Sequence, residues 1–319
     1  MLKRLPLLLT LAPLAVAIGV YWLFWTGWAA EFKAALAPWL PGTGVVVTGF
    51  PYRLEAEIAP ARLDGGDVVK LSARASRARI NRGPWRPELT LISAQQPEFA
   101  ATVGDVLSAR LAAASSITSV HVDADGHVAR ISTVADAARI ATGLLPVPIT
   151  AQAFEVHLRE RVGETAPASS PSGAPRGQMV LAGTALRFGG GDPLTFAADM
   201  VATGPARLDG YDRWATTGMV AIDPLTLADA TGEVARVRAT LVPIGRTGAR
   251  FAGTIETVCP ATVAAAIAGT PAPSERRLRA PARLAFEGVP GAVRVTGIPA
   301  DLTTRAVRAQ LPPCPVLRR

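Results

Sequence analysis

Two hydrophobic patterns divide the chain. Residues 5–30 form an unbroken, uncharged and largely apolar run that directly follows Lys3 and Arg4. About 20 apolar residues are enough to cross a bilayer as a helix. Beyond the run, apolar residues recur at every second position, which is typical of β-strands with one buried face. The pattern therefore predicts one membrane helix followed by a β-rich chain.

The apolar run is predicted to be an uncleaved signal anchor over residues 1–30. Cleavage after the small residues at 15–17 is the alternative, but the run continues well past them. Trp22, Trp25 and Trp28 lie three residues apart near its end and are predicted to form an aromatic belt at the membrane interface. Because basic residues precede the run, the N-terminus is expected in the cytoplasm. This predicts a single-pass protein of the bacterial inner membrane with the bulk of the chain in the periplasm.

Short elements follow the anchor. Residues 31–42, EFKAALAPWLPG, are predicted to form a separate juxtamembrane helix that ends at proline and glycine. Residues 119–132 predict a β-hairpin that closes on a two-residue turn at Asp125-Gly126 and pairs Val122 with Ala129 and Val120 with Ile131. Further strands are predicted at residues 54–58, 69–75, 89–93, 99–103, 154–159, 179–188, 196–203, 234–242 and 250–257, and short helices at 134–143, 261–268 and 301–310.

The predicted fold class is mainly β, with antiparallel sheets, a few short helices and one N-terminal transmembrane helix. Residues 163–178, GETAPASSPSGAPRGQ, have no periodicity and are typical of a flexible linker or long loop. They separate a first β-rich half at 43–162 from a second at 179–319. The alternative is a loop within one long curved sheet, and the sequence leaves both arrangements open.

The formal net charge is +8, and arginine supplies nearly all of the basic residues. Arginine suits phosphate and anionic lipid headgroups because its planar fork binds oxygens in pairs. However, abundant alanine, glycine, proline and arginine together are also typical of a GC-rich genome. The mild charge bias and the predicted location both argue against a nucleic-acid partner.

The chain has two cysteines, Cys259 and Cys314. An even number of cysteines in an oxidising compartment predicts one disulfide between them. The alternative is a pair of free, buried thiols.

No catalytic constellation is evident in the sequence. His121, Asp123, Asp125 and His127 are close in sequence, but the predicted hairpin directs the two histidines to opposite faces. Metal ligands must converge on one point, so no metal site is predicted. No nucleophile motif and no phosphate-binding loop occurs. We therefore expect neither a cofactor nor enzymatic activity.

One short motif, VTGFPYRLEAEI at residues 47–58, contains Gly49, Phe50, Pro51, Tyr52 and Arg53. Glycine favours a turn and proline favours the start of a strand, so Tyr52 is expected to share a face with Leu54, Ala56 and Ile58. The echo VTGIP at residues 295–299 favours a turn-to-strand device over a ligand motif. The echo lacks the aromatic and the arginine, which leaves Phe50 and Arg53 as functional candidates.

The order of these features resembles a known family. A single anchor is followed by the motif Gly49-Phe50-Pro51-Tyr52-Arg53, then by PWRPEL at residues 84–89, and then by a long β-rich region with late cysteines. This order resembles the proteobacterial membrane-anchored envelope family called domain of unknown function 2125. The resemblance implies an envelope location and carries no catalytic residue over to this chain.

These observations favour a membrane-anchored periplasmic protein that acts as a binding or scaffold protein of the cell envelope. Its partner would be another envelope protein. The alternative is a lipid-binding or lipid-transfer protein with an apolar groove along its β-sheet. A sheet covered on its apolar face would exclude that alternative, whereas an open groove would support it.

Overall fold

The computed structural model describes residues 5–38, 45–66, 69–103, 107–143, 147–161, 173–204, 214–245, 248–268, 270, 277–289, 291–297 and 312–317. These residues form two helices, α1 (Leu5–Leu36) and α2 (Pro260–Ala268), and eighteen strands. The strands are β1 (Val47–Thr48), β2 (Leu54–Ile58), β3 (Ala61–Gly65), β4 (Val69–Ala75), β5 (Arg77–Gly83), β6 (Arg86–Gln95), β7 (Glu98–Val103), β8 (Leu107–Ala112), β9 (Ser115–Val122), β10 (Val128–Thr142), β11 (Ile149–Glu160), β12 (Ala174–Phe188), β13 (Leu194–Gly204), β14 (Met219–Asp229), β15 (Gly232–Ile244), β16 (Gly248–Thr257), β17 (Ala282–Val289) and β18 (Ala292–Thr296).

The N-terminal helix is longer than the sequence predicted. α1 continues through residue 30 to Leu36, so residues 31–36 belong to it and do not form a separate helix. Glu31, Lys33 and the alanines around them are good helix formers. The helix ends just before Pro38 because a proline disfavours the helical conformation of the residue that precedes it. The rest of the predicted juxtamembrane helix, residues 39–42, lies outside the described residues.

All the described strands belong to one antiparallel sheet. Its main path runs through β2, β5, β6, β9 and β10 and then through β11 to β18 in chain order. A shorter branch runs through β3, β4, β7 and β8. The long strand β10 joins both parts, because its first portion pairs with β9 and its last portion pairs with β8.

A crease separates the branch from the main path. The chain bends between β2 and β3, between β4 and β5, between β6 and β7 and between β8 and β9. Hydrogen bonds connect the last two of these bends with β10: the Gln96 amide donates to the Ala114 carbonyl, and the Ala114 amide donates to the Asp136 carbonyl, both at 2.9 Å. Positive φ angles at Gln96 and Ala137 accompany the crease. The sheet therefore changes direction without losing continuity.

The predicted fold class is confirmed, and the sheet is one continuous sheet. β11 and β12 flank the unpatterned segment at residues 163–178 and pair directly with each other, so strands from both predicted halves lie in the same sheet. The predicted helix at residues 261–268 is confirmed as α2. The helix predicted at 301–310 lies outside the described residues.

Two local predictions are wrong. Residues 134–143 were predicted to be helical, but residues up to Thr142 belong to β10, because pairing with strands on both sides outweighs their alanine-rich helix propensity. The hairpin after β9 closes on a five-residue loop, in which the Asp123 amide donates to the His127 carbonyl. Val122 consequently pairs with Val128 and not with Ala129, although the predicted pairing of Val120 with Ile131 is correct.

Candidate functional site

The loop between β1 and β2 docks on α1 through backbone carbonyls. The Tyr21 hydroxyl donates a hydrogen bond to the Pro51 carbonyl at 2.5 Å, and the Trp25 indole nitrogen donates to the Arg53 carbonyl at 3.2 Å. The Phe50 ring lies edge-on to Trp25, with ring centroids 5.6 Å apart. These contacts fix the position of the loop along the helix axis.

A second loop, between β5 and β6, reaches the same part of α1. Its Trp85 stacks on Tyr21 with ring centroids 5.7 Å apart and lies edge-on to Trp28 at 5.1 Å. The first loop contains the GFPYR motif, and the second contains Pro84 and Trp85, the first two residues of PWRPEL. We call the cluster of Tyr21, Trp25, Trp28, Phe50 and Trp85 the helix–loop junction.

The face of α1 that enters the sheet differs from the one that the three tryptophans suggest. Tyr21, Trp25, Trp28 and Phe32 follow helical spacing and contact the loops or the sheet core. Trp22 lies outside this stripe and is 51% exposed. Residues three apart are separated by about 300° around the helix axis, so residues at repeated spacings of three do not stay on one face. Tyr21, the residue that the sequence analysis missed, was recognisable from its spacing of four and seven to Trp25 and Trp28.

The GFPYR motif forms a turn before the strand begins. Gly49 has a φ of 103°, and a Cβ there would lie 2.7 Å from the Arg53 carbonyl oxygen, so the position requires glycine. The Arg53 amide donates to the Gly49 carbonyl at 3.1 Å, and the Phe50–Pro51 peptide is cis. Leu54, Ala56 and Ile58 are buried as expected. Tyr52 does not share their face, because it lies in the turn and is 84% exposed.

Arg82 lies next to this junction. Its guanidinium sits 4.8 Å from the centre of the Phe32 ring, and its buried Nε atom has no hydrogen-bond partner. Burial lowers the pKa of Arg82, an effect that the negative charge of Glu31 partly opposes. A cation with an unsatisfied donor is thus held beside the helix, at the edge of the sheet core.

One face of the sheet carries two apolar rows, which we call the apolar face. Residues paired directly across neighbouring strands share a face. The first row begins beneath α1 and consists of Ala56, Ile80, Ile92, Thr118, Thr133, Val156, Leu181, Ala198, Leu225, Val237, Ile255 and Leu284. The second row consists of Leu54, Arg82, Thr90, Val120, Ile131, Leu158, Met179, Met200, Ile222, Ala239, Gly253, Phe286 and Val295. Arg82 is the one charged residue in either row.

The second row is partly exposed along most of its length among the described residues, whereas the middle of the first row is covered: Ala198 is buried, and Val156 and Leu181 pack against a cluster that contains Phe154 and Leu186. From Val120 to Val295, every member of the second row keeps part of its surface exposed, and Leu158 is 37% exposed. The two ends of the apolar face are also covered. Near α1 the helix packs on Leu54, Ala56 and Ile80, and at the far end Val263 of α2 packs with Ile255 and Leu284.

The opposite face carries ion pairs beside a few exposed apolar residues, such as Ile117 and Val134. Arg79 contacts both Glu55 and Glu57 at 3.3 Å. Arg238 contacts Asp223 at 2.9 Å. The sheet therefore has one charged face, which is suited to water, and one nearly uncharged face.

The two cysteines lie together at the far end of the sheet. Their sulfurs are 2.12 Å apart, as in a disulfide, and both residues are fully buried. The bridge joins the segment just before α2 to the C-terminal residues. There the Val316 amide donates to the Asp192 carboxylate at 2.7 Å, so the C-terminal segment also contacts the turn between β12 and β13.

The hairpin loop after β9 brings Asp123, Asp125 and His127 within 4.8 Å of one another. The Asp123 carboxylate already accepts hydrogen bonds from the amides of Asp125 and His127, at 3.0 and 2.8 Å. His121 precedes the loop on β9 and is not part of this group. The hydrogen bonds account for the loop's shape, and we assign no metal to it.

The fold and the junction define a class of protein: a single large antiparallel sheet attached to an N-terminal helix that is apolar and long enough to cross a membrane, by length and composition, over Leu11–Leu36. A family described as an uncharacterized protein conserved in bacteria, DUF2125, matches residues 42–256, well over half of the chain. The chain belongs to this family, as its motifs suggested. No curated protein and no solved structure matches it.

Proposed function

We propose that this protein is an inner-membrane-anchored lipid-binding protein that holds acyl chains on the apolar face of its sheet. The observation that carries the proposal is the open second row, in which thirteen paired positions contain a single charge, at Arg82. Large contiguous apolar surfaces are rare on soluble proteins unless they bind something. The ion pairs lie on the opposite face, so the two faces of the sheet differ in polarity.

The dimensions of the apolar face suit a long apolar ligand. Neighbouring strands are about 4.8 Å apart, so the first row extends for roughly 50 Å from β2 to β17. It runs across the strands, from the anchor helix to the α2 end. An acyl chain lying along the rows would need no hydrogen-bond partners, and these side chains offer almost none.

The position of Arg82 favours an anionic phospholipid. Arg82 stands in the second row beside α1, where a lipid entering from the membrane would place its headgroup. Its buried Nε has no hydrogen-bond partner, and arginine pairs well with phosphate oxygens. The lipid would then lie with its phosphate near the anchor and its chains along the open second row.

The lipid proposal is tested by mass spectrometry of the purified full chain in mild detergent. We expect a phospholipid to co-purify with the protein. Leu158→Glu places a carboxylate in the middle of the apolar face and should abolish most of this capture, because a charge is costly to bury against acyl chains. Val134→Glu is the matched control, since Val134 is 39% exposed and Leu158 37%, on opposite faces of neighbouring strands.

Equal lipid capture by both folded variants, or no lipid on the wild-type protein, would contradict the proposal. The sequence also favours a binding or scaffold protein with an envelope protein as its partner. That role would gain support if the lipid were absent and a photo-crosslinker at residue 158 captured a protein in cells. Lipid binding and protein binding are thus distinguished by which of the two partners occupies the apolar face.

The proposed location is the bacterial inner membrane, with a cytoplasmic N-terminus and a periplasmic sheet. The basic pair Lys3 and Arg4 supports the orientation. The paired cysteines support an oxidising compartment.

A further inference from the structure

The junction between α1 and the two loops sits close to the membrane end of the domain. From Leu5 to Val20, before the first loop contact at Tyr21, α1 has 16 residues. At 1.5 Å per residue these residues span about 24 Å. The hydrocarbon core of a bilayer is about 30 Å thick, so a span that stopped before Tyr21 would be about one helical turn too short.

The helical turn that would complete the crossing is the one that contacts the two loops. If Lys3 and Arg4 lie at the cytoplasmic surface, the next turn of α1, around residues 21–25, is needed to complete the crossing. Tyr21 and Trp25 are bonded to Pro51 and Arg53, and Trp85 stacks on Tyr21. The two loops are therefore held at the depth where the helix leaves the bilayer.

The side chains at this depth are aromatic and exposed. Tyr52 is 84% exposed and Trp85 67%, while Trp22 and Phe24 of α1 expose 51% and 61% of their surfaces. Phe50, 40% exposed, completes the group. Tyrosine and tryptophan favour the membrane interface because their rings are apolar and their polar atoms reach water.

Basic residues flank these aromatics. Arg53 follows Tyr52 and has an exposed side chain that pairs with Glu55 at 3.0 Å, and Arg86 follows Trp85 and is exposed. Arginines beside interfacial aromatics can reach lipid phosphates while their stems stay among apolar groups. Neither loop carries an acidic residue between Gly49 and Arg53 or between Gly83 and Arg86.

We propose that Trp22, Phe24, Phe50, Tyr52 and Trp85 form an aromatic collar that inserts into the outer headgroup region of the bilayer that α1 crosses. The collar holds the near end of the sheet on the membrane surface, so the domain does not swing freely on a tether. This inference rests on the proposed membrane anchoring. It does not depend on lipid capture by the apolar face.

The test measures the depth of single labels on the full chain in nanodiscs of phosphatidylethanolamine and phosphatidylglycerol. Tyr52→Cys, Leu14→Cys and Ile117→Cys are each labelled with a polarity-sensitive fluorophore, while the paired native cysteines are left oxidised. Leu14 and Ile117 are 56% and 61% exposed. Ile117 pairs with Ser93, seven residues along β6 from Arg86, and thus roughly 23 Å from the loop.

We expect the label at residue 52 to be blue-shifted and to lose most of its emission to lipids with a nitroxide near the headgroup. The label at residue 14 should respond most to a nitroxide near the chain end, and the label at 117 should respond only to aqueous iodide. Thermal unfolding of each variant confirms that it is folded.

Two results would overturn the collar, and they differ in meaning. If residue 14 is quenched by lipid but residue 52 behaves like residue 117, the helix spans the bilayer and the collar is wrong. If residue 14 is not quenched by lipid, the membrane anchoring itself is wrong and the collar falls with it. If nitroxide-labelled lipid quenches the label at residue 52 in nanodiscs, the collar is supported, whether or not a ligand occupies the apolar face.

Discussion

At the scale of single residues, one ion pair joins the sheet to the C-terminal segment. Arg279 donates to the Asp229 carboxylate at 2.5 Å and to the Pro312 carbonyl at 2.9 Å. The side chains of Arg279 and Asp229 are only 8% and 13% exposed. The Thr231 amide and hydroxyl also donate to Asp229, at 2.8 and 2.6 Å. Asp229 thus closes the turn after β14 and holds Arg279 in place.

We predict that Asp229→Asn lowers the free energy of unfolding by about 3 kcal/mol, because it leaves a buried guanidinium without its counter-charge. The measurement is thermal or urea unfolding of the full chain in detergent. Asp223→Asn is the control, since its pair with Arg238 is largely exposed and is expected to contribute at most about 1 kcal/mol. Equal effects of the two substitutions would contradict the prediction.

The same pair predicts a dependence of stability on pH. Burial alone raises the pKa of Asp229, but hydrogen bonds from Thr231 and Arg279 outweigh burial and lower the pKa below its usual value. Asp229 therefore contributes fully above the unfolded pKa of about 4 and loses this contribution as the pH falls through its folded pKa. Wild-type protein should lose more stability than Asp229→Asn when the pH is lowered from neutral into this acidic range.

The GFPYR motif shows how much of a local structure can be predicted from neighbouring residues alone. The sequence correctly indicated a glycine-dependent turn at Gly49 and burial of Leu54, Ala56 and Ile58. It misplaced Tyr52, because the turn continues for two residues beyond Pro51. The contacts of Phe50 with Tyr21 and Trp25 join residues far apart in sequence, and no local pattern specifies such contacts.

At the scale of elements, the cysteine bridge ties α2 to the C-terminal segment. Cys314 donates its backbone amide to the Arg277 carbonyl at 2.8 Å, and Arg277 donates to the Cys314 carbonyl at 2.7 Å. The bridge closes a loop with a sequence separation of 55. It therefore restrains residues 312–317, which form no helix or strand.

We predict that the double variant Cys259→Ala and Cys314→Ala loses about 4 kcal/mol of stability, the value expected from closing a loop of this length. Unfolding of the wild type with and without a reductant provides the comparison, and the reduced wild type should match the double variant. An unchanged unfolding midpoint in both would contradict a stabilising bridge.

The strand β10 shows where element prediction failed. Its residues 134–143 are rich in alanine, which favours a helix in isolation. In the protein they pair with β9, β8 and β11, and these pairings decide the outcome because they satisfy the backbone on both sides. α2 was predicted correctly because its nine residues carry an uninterrupted local signal.

At the scale of the whole molecule, the proposed orientation in the membrane rests on the two basic residues that precede the apolar run, Lys3 and Arg4. We predict that alkaline phosphatase fused to the C-terminus is active in cells, whereas green fluorescent protein at the same position is dark, because both report export from the cytoplasm. The same fusions to a chain lacking residues 1–30 are the control and should give the reverse result. Bright fluorescence from the full-length fusion would contradict the proposed orientation.

The sequence by itself determined the apolar helix, the β-rich class, the two alternating faces of most strands and the family. Each of these depends on a period of two or 3.6 residues or on a run, which neighbouring residues reveal. Only the tertiary structure decided that Trp85 and Phe50 meet on α1, that the strands share one creased sheet, and that their apolar positions align into rows. Those features depend on strand register and on contacts between distant residues, and register is set by pairing partners that no single segment contains.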